Sequence, residues 1–191
     1  MVSIQEEKQA QRRAGQAARQ ALLPPEHAAA SAALCANLWR LDAVSKARTI
    51  LLYAAFGGEA DLSAFAAEAQ ARGKRLAYPV CGPGATLTAA VPGPDGWEKG
   101  LYGIPAPVPE RSELLEPRQL DLVLVPCTAF DKDCWRVGMG KGYYDRYLPR
   151  CCHAVTVGIA LEVQRVAHAA VDRYDQRLDA FVTEKEIYQW K

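Results

Sequence analysis

The sequence predicts an α/β fold with a mostly parallel central sheet, flanking helices and a Gly/Pro-rich irregular lobe. Three short apolar runs, at residues 47–56, 119–126 and 153–160, indicate buried strands. The first run is followed by a helical segment that ends at Gly73 and by a second strand at 74–80. Strand, helix and strand in this order favour a right-handed crossover and therefore parallel pairing of the two strands.

Two helices, spanning residues 5–41 and separated by a Pro-Pro pair, are predicted to precede the sheet. The first, at 5–22, is rich in strong helix formers. Within it, Lys8 and Arg12 lie one turn apart, and Arg19 follows two turns later on the same face. This stripe is either an ordinary solvated face or a basic surface for phosphate groups.

Prolines and glycines are dense between residues 79 and 109, where helical periodicity disappears. We expect an irregular lobe there, covering one edge of the sheet and containing a strand at 86–91. The C-terminal tail predicts a short helix, a loop around Tyr174-Asp175 and a final strand at 180–184. No internal repeat is visible, and residues 1–191 are expected to form one domain.

The composition argues against several classes of protein. The 191 residues carry a formal net charge of +1, so no global attraction to nucleic acid or to a membrane is expected. The six cysteines include no CxxC pair, and the N-terminus is too polar for a secretory signal. The longest uncharged run, 76–94, contains four prolines and cannot form a spanning helix. We therefore expect a cytoplasmic monomer with reduced thiols that binds a small molecule.

The segment RVGMGKGYYDRYL (136–148) places Gly138, Gly140 and Gly142 directly before a predicted helix. Glycines in such a turn let backbone N–H groups converge on an anion, and a helix N-terminus favours negative charge. The loop is not a P-loop, because Lys141 is followed by Gly-Tyr rather than by Ser or Thr. Its spacing also differs from the GxGxxG of dinucleotide sites. A flexible loop without a ligand is the alternative.

Charged side chains beside the glycines favour a phosphate site. Arg136 and Lys141 can each donate a charge-assisted hydrogen bond. Asp145 supplies the kind of oxygen ligand that Mg²⁺ takes together with substrate phosphates. An ordinary acid in the first turn of a helix explains Asp145 equally well.

The stretch LVLVPCTAFDKDCWRVGMGKGYYDRYL resembles the signature of the 5-formyltetrahydrofolate cyclo-ligases, also called 5,10-methenyltetrahydrofolate synthetases. That family reads approximately VPxxAFDxxGxRLGxGxGYYDRYL. Five further features are similar to the family and occur in its order along the chain. They are the early spacing of Lys8, Arg12 and Arg19, YAAFGGEAD (53–61), GIPAP (103–107), GIALEVQ (158–164) and YDQRLDAFVTE (174–184).

The resemblance implies a Rossmann-like fold and an ATP- and Mg²⁺-dependent ring closure. The family converts 5-formyltetrahydrofolate to 5,10-methenyltetrahydrofolate and releases ADP and phosphate. Phosphorylation of the formyl oxygen makes the formyl carbon electrophilic and creates a leaving group, after which N10 attacks. The enzyme mainly aligns the γ-phosphate and neutralises charge, so no protein nucleophile is needed.

The resemblance also implies roles for individual residues, by position. Arg136 and Lys141 are the catalytic cations. The nucleotide-binding residues are Lys8, Arg12, Arg136, Val137, Gly138, Met139, Gly140, Lys141, Gly142, Tyr143 and Tyr144. The folate-binding residues are Ala54, Glu59, Tyr102, Met139, Gly140, Lys141, Gly142 and Tyr143. The Mg²⁺ ligands are Asp145 and Asp175.

Five positions depart from the family pattern. Cys127 and Cys134 stand where glycine is usual, so cysteine is costly if either backbone needs a positive φ. Ala106 replaces a glutamate, Tyr174 a histidine and Gln11 a leucine. These departures leave open a non-catalytic nucleotide- or folate-binding protein on the same scaffold. A nicotinamide oxidoreductase is disfavoured because the glycine spacing is wrong for it.

Overall fold

The computed structural model describes residues 3–100 and 103–190 and contains an eight-stranded sheet with packed helices. The helices are α1 (Ile4–Gln20), α2 (Pro24–Leu38), α3 (Asp42–Lys46), α4 (Ser63–Ala71) and α5 (Tyr143–Tyr147). The strands are β1 (Thr49–Leu51), β2 (Arg75–Gly82), β3 (Thr86–Pro92), β4 (Trp97–Lys99), β5 (Pro105–Pro107), β6 (Ser112–Leu115), β7 (Leu122–Pro126), β8 (Ala129–Phe130), β9 (Arg136–Val137), β10 (Val155–Ile159), β11 (Ala180–Val182) and β12 (Ile187–Gln189). Within these ranges no helix is long and apolar enough to cross a membrane.

The sheet has the strand order β12-β11-β10-β7-β1-β2-β3-β6. The five adjacent strands from β11 to β2 pair in parallel, and β12, β3 and β6 add to the edges in antiparallel pairs. Residues 122–125 of the central strand β7 are fully buried. A strand that is covered on both faces has a continuous apolar sequence, so β7 could be predicted from its residues. The predicted α/β class with a mostly parallel sheet is confirmed.

The strand order reverses between β1 and β7. β2 lies on one side of β1, whereas β7, β10 and β11 lie on the other. In open α/β sheets, ligands bind at such a switch point, in the crevice outside the carboxyl ends of the strands. The loops that begin at Leu52 and Cys127 are therefore the expected position of a site.

Two hydrophobic clusters cover the two faces of the sheet. Consecutive residues of β7 belong alternately to one cluster and to the other, because neighbouring side chains of a strand point to opposite faces of the sheet. Leu124 packs in the cluster that contains Leu34 of α2 and Phe65 of α4. Val123 belongs to the other cluster, in which the rings of Phe130 and Phe181 stack at 4.6 Å.

Helix α1 packs directly on the loop after β7. A Cβ atom at Gly15 would lie 1.8 Å from the backbone oxygen of Thr128, so no side chain fits there. Lys8 and Arg19 lie on the same helix face and are buried. The stripe predicted on this helix is therefore not a solvated face.

The second helix differs from its prediction at both ends. It begins at Pro24, because prolines fit the first helical positions, where the missing N–H has no intrahelical partner. It ends at Leu38 instead of continuing to residue 41, and the separate short helix α3 starts at Asp42.

The lobe at 79–109 is more regular than predicted. β2 and β3 form an antiparallel pair, which confirms the strand expected at 86–91, and β4 and β5 form a hairpin. Pro79 is tolerated within β2 because pairing with β1 ends at Ala77, so no ladder N–H is needed from residue 79 on that side. The density of Gly and Pro marks tight connections such as residues 83–85, not a loss of strands.

Six short strands, β4, β5, β6, β8, β9 and β12, were not predicted. β8 and β9 form a hairpin inside a segment expected to be a continuous loop. The helix predicted in the tail is wrong, since only a single 3₁₀ turn at Glu162–Gln164 forms there. The strand predicted at 180–184 is confirmed as β11, but it is not the final strand, because β12 follows it.

We expect Gly15→Ala to destabilise the protein, although alanine is the better helix former by about 1 kcal/mol. The methyl group must push α1 away from Thr128, and overpacking costs about 1–3 kcal/mol. Urea unfolding should give a net loss of about 1 kcal/mol, because the overpacking cost exceeds the gain in helix propensity. The control Ala14→Gly, at the neighbouring exposed position, should cost about 1 kcal/mol through helix propensity alone. A Gly15→Ala protein more stable than wild type would show that α1 is not packed this closely.

Candidate functional site

The candidate site lies at the switch point, where α1 meets the loops after β1 and β7. Arg19 Nε donates to the carbonyl oxygen of Gly57 (2.9 Å), and Arg19 Nη1 donates to that of Cys127 (3.2 Å). Gln164, just after β10, donates from Nε2 to the carbonyl oxygens of Cys127 (2.9 Å) and Thr128 (3.1 Å). Arg19 therefore joins α1 to the loops after β1 and β7. Gln164 joins the segment after β10 to the same β7 loop.

The glycine loop lies against α1. Arg12 Nε donates to the carbonyl oxygen of Gly138 at 2.8 Å, although the two residues are 126 positions apart. Gly140 and Gly142 have φ angles of +90° and +70°, a region that favours glycine. A Cβ atom at Gly140 would lie 3.2 Å from Cζ of Arg12, whereas a Cβ atom at Gly138 would meet no described atom within 4 Å. The structure therefore brings the predicted Arg12 to the loop and leaves space in front of Gly138.

The helix after the loop is shorter than expected. α5 covers five residues, Tyr143–Tyr147, so few peptide dipoles are aligned behind the loop. The dipole of α5 therefore contributes less to anion binding than the sequence predicted. Val137 before the loop is buried, and Met139 and Lys141 at its tip are exposed. Backbone N–H groups and nearby cations are the features that can bind an anion here.

Lys8 is buried and paired with two carboxylates. Its Nζ atom lies 2.8 Å from Oδ2 of Asp172 and 2.5 Å from Oδ2 of Asp175. Burial lowers the pKa of Lys8, but the hydrogen bonds to Asp172 and Asp175 outweigh it, so the pKa lies above its ordinary value. The ammonium group therefore stays charged, and it touches the predicted metal ligand Asp175.

Arg136 is buried behind the glycine loop. Its Nη2 atom donates to Oδ1 of Asp145 at 2.8 Å, and the backbone N–H of Gln176 lies 3.4 Å from the same oxygen. Among the described residues, Nε of Arg136 has no hydrogen-bond partner. A buried N–H without an acceptor costs about 1–3 kcal/mol, so this atom is a candidate contact for a ligand oxygen.

Asp145 and Asp175 offer two carboxylates rather than a complete metal cage. No cluster of three or more His, Cys, Asp or Glu residues suited to a metal occurs in the described part of the chain. Each of the two carboxylates has one oxygen bonded to a cation, Arg136 or Lys8. Because Mg²⁺ is commonly held by one or two carboxylates plus substrate phosphates, this donor set fits an ion that arrives with a nucleotide.

Glu59 lies in the loop after β1, with its side chain 12% exposed. Its Oε2 atom accepts from the backbone N–H of Phe56 (3.1 Å), and its Oε1 atom lies 3.8 Å from Nη1 of Arg19. Burial raises the pKa of Glu59 above its ordinary value, while Arg19 and the Phe56 N–H act in the opposite direction. His27 holds the same turn, because its Nε2 lies 3.2 Å and 3.0 Å from the carbonyl oxygens of Gly58 and Glu59.

The other predicted folate contacts are Ala54, the glycine-loop residues 139–143 and Tyr102. Ala54 is half-buried in the segment that leads from β1 to Glu59. Burial raises the pKa of Tyr144 well above its ordinary value, and the charges of Glu59 and Arg136 also act on its hydroxyl group. The Tyr144 hydroxyl group, just after the glycine loop, therefore interacts electrostatically with the Glu59 carboxylate. Tyr102, the predicted stacking residue, lies outside the described residues.

Three polar residues of the site had no predicted role, and a fourth, Arg19, bonds backbone carbonyl oxygens rather than forming part of a phosphate-binding stripe. Asp172 shares the Lys8 ammonium, Arg19 and Gln164 hold the loop after β7, and His27 holds the Glu59 turn. Arg19 had a signal, since it shares a helix face with Lys8. The other three stand at positions to which sequence reasoning assigned no side-chain role.

The two cysteines at glycine positions behave differently. Cys134 has a φ of +64°, so a side chain occupies a backbone conformation that favours glycine. Cys127 is not among the described residues with positive φ, and its carbonyl oxygen accepts a hydrogen bond from Arg19. Burial raises the pKa of the Cys127 thiol to about 12, so it stays protonated. Gln11, where a leucine is usual, bonds the backbone of His168 and Ala170.

Known proteins resemble this chain in both sequence and fold. The model of the 5-formyltetrahydrofolate cyclo-ligase family matches residues 4–184. The 5-formyltetrahydrofolate cyclo-ligase of Escherichia coli K12 is 29% identical over 177 residues, covering 90% of this chain and 97% of the relative. The solved 5,10-methenyltetrahydrofolate synthetase of Aquifex aeolicus has a TM-score of 0.84 and 31% identity, covering 96% of this chain and 93% of its own. That of Mycoplasma pneumoniae has a TM-score of 0.77 and 25% identity, covering 93% of this chain and 99% of its own.

We expect Cys134→Gly to be more stable than Cys134→Ala by about 1 kcal/mol, because only glycine relieves the cost of positive φ. At an ordinary buried position the order is the reverse, since alanine retains more packing and loses less chain entropy. Cys151 is the control, because it is also buried but has a φ of −92°. At this position the alanine variant should be more stable than the glycine variant. Urea unfolding measures all four variants. The same order at both positions would contradict strain at Cys134.

Proposed function

The chain belongs to the 5-formyltetrahydrofolate cyclo-ligase family, and from that premise we propose that it catalyses the ATP- and Mg²⁺-dependent cyclisation of 5-formyltetrahydrofolate. The products are 5,10-methenyltetrahydrofolate, ADP and phosphate. A single contact carries the proposal: Arg12 of α1 bonds the backbone of the glycine loop at Gly138. This contact supports one anion site made from two distant parts of the chain.

The phosphate groups of ATP suit the surroundings of this contact. The open backbone around Gly138 can admit a phosphate oxygen, and Arg12 and Lys141 lie at the same loop. Nε of Arg136 is a buried donor with no acceptor in the described residues. A phosphate oxygen that reached it would recover a hydrogen bond to a charged group, worth about 1.5–3 kcal/mol.

The chemistry follows from the weakness of an amide as an electrophile. The formyl oxygen attacks the γ-phosphorus of ATP, and the bond to the bridging oxygen of ADP breaks. The formyl carbon then carries a phosphate leaving group and partial positive charge next to N5. N10 attacks this carbon and loses its proton, and the C–O bond to phosphate breaks to give the methenyl bridge.

The residues of the site supply orientation and charge rather than a nucleophile. We assign Arg136 and Lys141 to the negative charge that develops on the transferred phosphoryl group. Lys8 and Arg12, with residues 136–144, bind the nucleotide. Mg²⁺, bound by Asp145 and Asp175, would neutralise phosphate charge.

Glu59 is assigned to the folate. The amino-pyrimidinone edge of the pterin presents adjacent N–H donors that the two oxygens of a carboxylate can accept. Ala54, Tyr102 and loop residues 139–143 complete the proposed folate contacts. The single-domain organisation, the monomeric state and the cytoplasmic location stay predictions from the sequence.

The proposal is tested by the absorbance of 5,10-methenyltetrahydrofolate in purified protein supplied with 5-formyltetrahydrofolate. Product should appear only when ATP and Mg²⁺ are both present, with one ADP released per product. Product without ATP would refute the phosphorylation step. Tight nucleotide or folate binding without any product would instead support a non-catalytic binding protein.

We expect Lys141→Ala to lower kcat/KM for ATP by about 10- to 100-fold, which corresponds to the loss of one charge-assisted hydrogen bond in the transition state. The side chain is exposed, so thermal stability should not change. Lys132→Ala is the matched control. Lys132 is an exposed lysine in the turn between β8 and β9, and it pairs with Asp133. An equal kcat/KM for ATP in the two variants would remove Lys141 from the nucleotide site.

A further inference from the structure

Arg19 is the most deeply buried cation of the site, and neither the motif nor the proposed chemistry gives it a role. Its side chain is 1% exposed. A buried guanidinium group is unfavourable unless its N–H donors are satisfied, so the surrounding contacts must compensate for the loss of water.

The contacts of Arg19 join the two loops that border the crevice. Nε and Nη2 face the carbonyl oxygens of Gly57 (2.9 Å) and Phe56 (3.5 Å) in the loop after β1. Nη1 donates to the carbonyl oxygen of Cys127 in the loop after β7. The planar fork of an arginine reaches all three acceptors at once, which a lysine cannot do.

The turn that Arg19 holds is intrinsically loose. Gly57 and Gly58 have φ angles of +57° and +79°, and two successive glycines lose much backbone entropy when they are ordered. The aliphatic part of Arg19 also packs here, since a Cβ atom at Gly58 would lie 3.5 Å from its Cγ atom. His27 holds the same turn from α2 through the carbonyl oxygens of Gly58 and Glu59.

We propose that Arg19 is a positioning residue for folate recognition: it fixes the Gly57-Gly58 turn against the loop after β7, so that the Glu59 carboxylate points at the pterin. This inference rests on the proposed function, because the folate contact of Glu59 is part of that proposal. Arg19 itself touches neither substrate. It acts through Glu59, whose Oε1 atom lies 3.8 Å from Nη1.

The charge of Arg19 adds a pH signature. Burial raises the pKa of Glu59, and Arg19 opposes this shift. The other groups that act with Glu59 are the hydroxyls of Tyr53 and Tyr144 and the Cys127 thiol, which are all neutral near pH 7. His27 bonds the carbonyl oxygen of Glu59 rather than its carboxylate. Loss of the Arg19 charge therefore raises the pKa of Glu59 further, and the protonated carboxyl group can no longer accept two hydrogen bonds.

The test compares Arg19→Lys, which keeps the charge but loses the fork, with Arg19→Met, which loses both. Both variants should raise the KM for 5-formyltetrahydrofolate at least 10-fold while the KM for ATP changes less than 3-fold. In Arg19→Met, the rise of folate KM on acidification should begin at a higher pH than in wild type. Arg13→Met, an exposed position on the same helix, should change neither KM. If Arg19→Met does not fold, His27→Ala should show the same selective loss of folate affinity.

A double-mutant cycle separates positioning from general stability. In a Glu59→Gln background, Arg19→Lys should raise the folate KM by less than 3-fold, because the carboxylate that it positions is gone. Independent effects that multiply, or equal changes in both KM values, would overturn the inference. An inactive wild type would refute the proposed function and this inference with it. An active wild type with an unchanged folate KM in Arg19→Lys would refute the inference alone.

Discussion

The site depends on how closely α1 approaches the loop after β7. Gly15 allows this approach, because any side chain there would overlap the backbone oxygen of Thr128. Three cationic side chains lie on the same helix face, two of them before Gly15 and one after it. Close packing therefore carries Lys8 to Asp175, Arg12 to the glycine loop and Arg19 to the crevice between β1 and β7. A helix held farther away would leave the loop without its cationic partner.

Four cations of the site are held in place by the protein before any substrate contact is considered. Lys8 and Arg136 are bonded to carboxylates, whereas Arg12 and Arg19 are bonded to backbone carbonyl oxygens. Fixed charges of this kind need little reorganisation when negative charge develops, which makes them more effective than mobile side chains in water. The arrangement suits phosphoryl transfer, where positioning and electrostatics supply most of the catalysis.

The sequence was informative where local chemistry decides the structure. The parallel strands were found because burial on both faces requires continuous apolar runs, and the glycine loop because φ angles of +90° and +70° require glycine. The two-residue strands β8 and β9 were missed because they are too short to show a pattern. The lobe was judged irregular because dense prolines and glycines hide short strands such as β4 and β5, each only three residues long. Asp172 was missed because its pairing with Lys8 depends on a contact across 164 positions.

The central claim is that α1 and the glycine loop form one phosphate site. A crystal structure with Mg²⁺ and a non-hydrolysable ATP analogue tests it most directly. We expect the triphosphate to lie between Arg12 and residues 138–142, with Nε of Arg136 within hydrogen-bond distance of a phosphate oxygen. A triphosphate bound elsewhere, with the glycine loop still facing away from it, would contradict the claim.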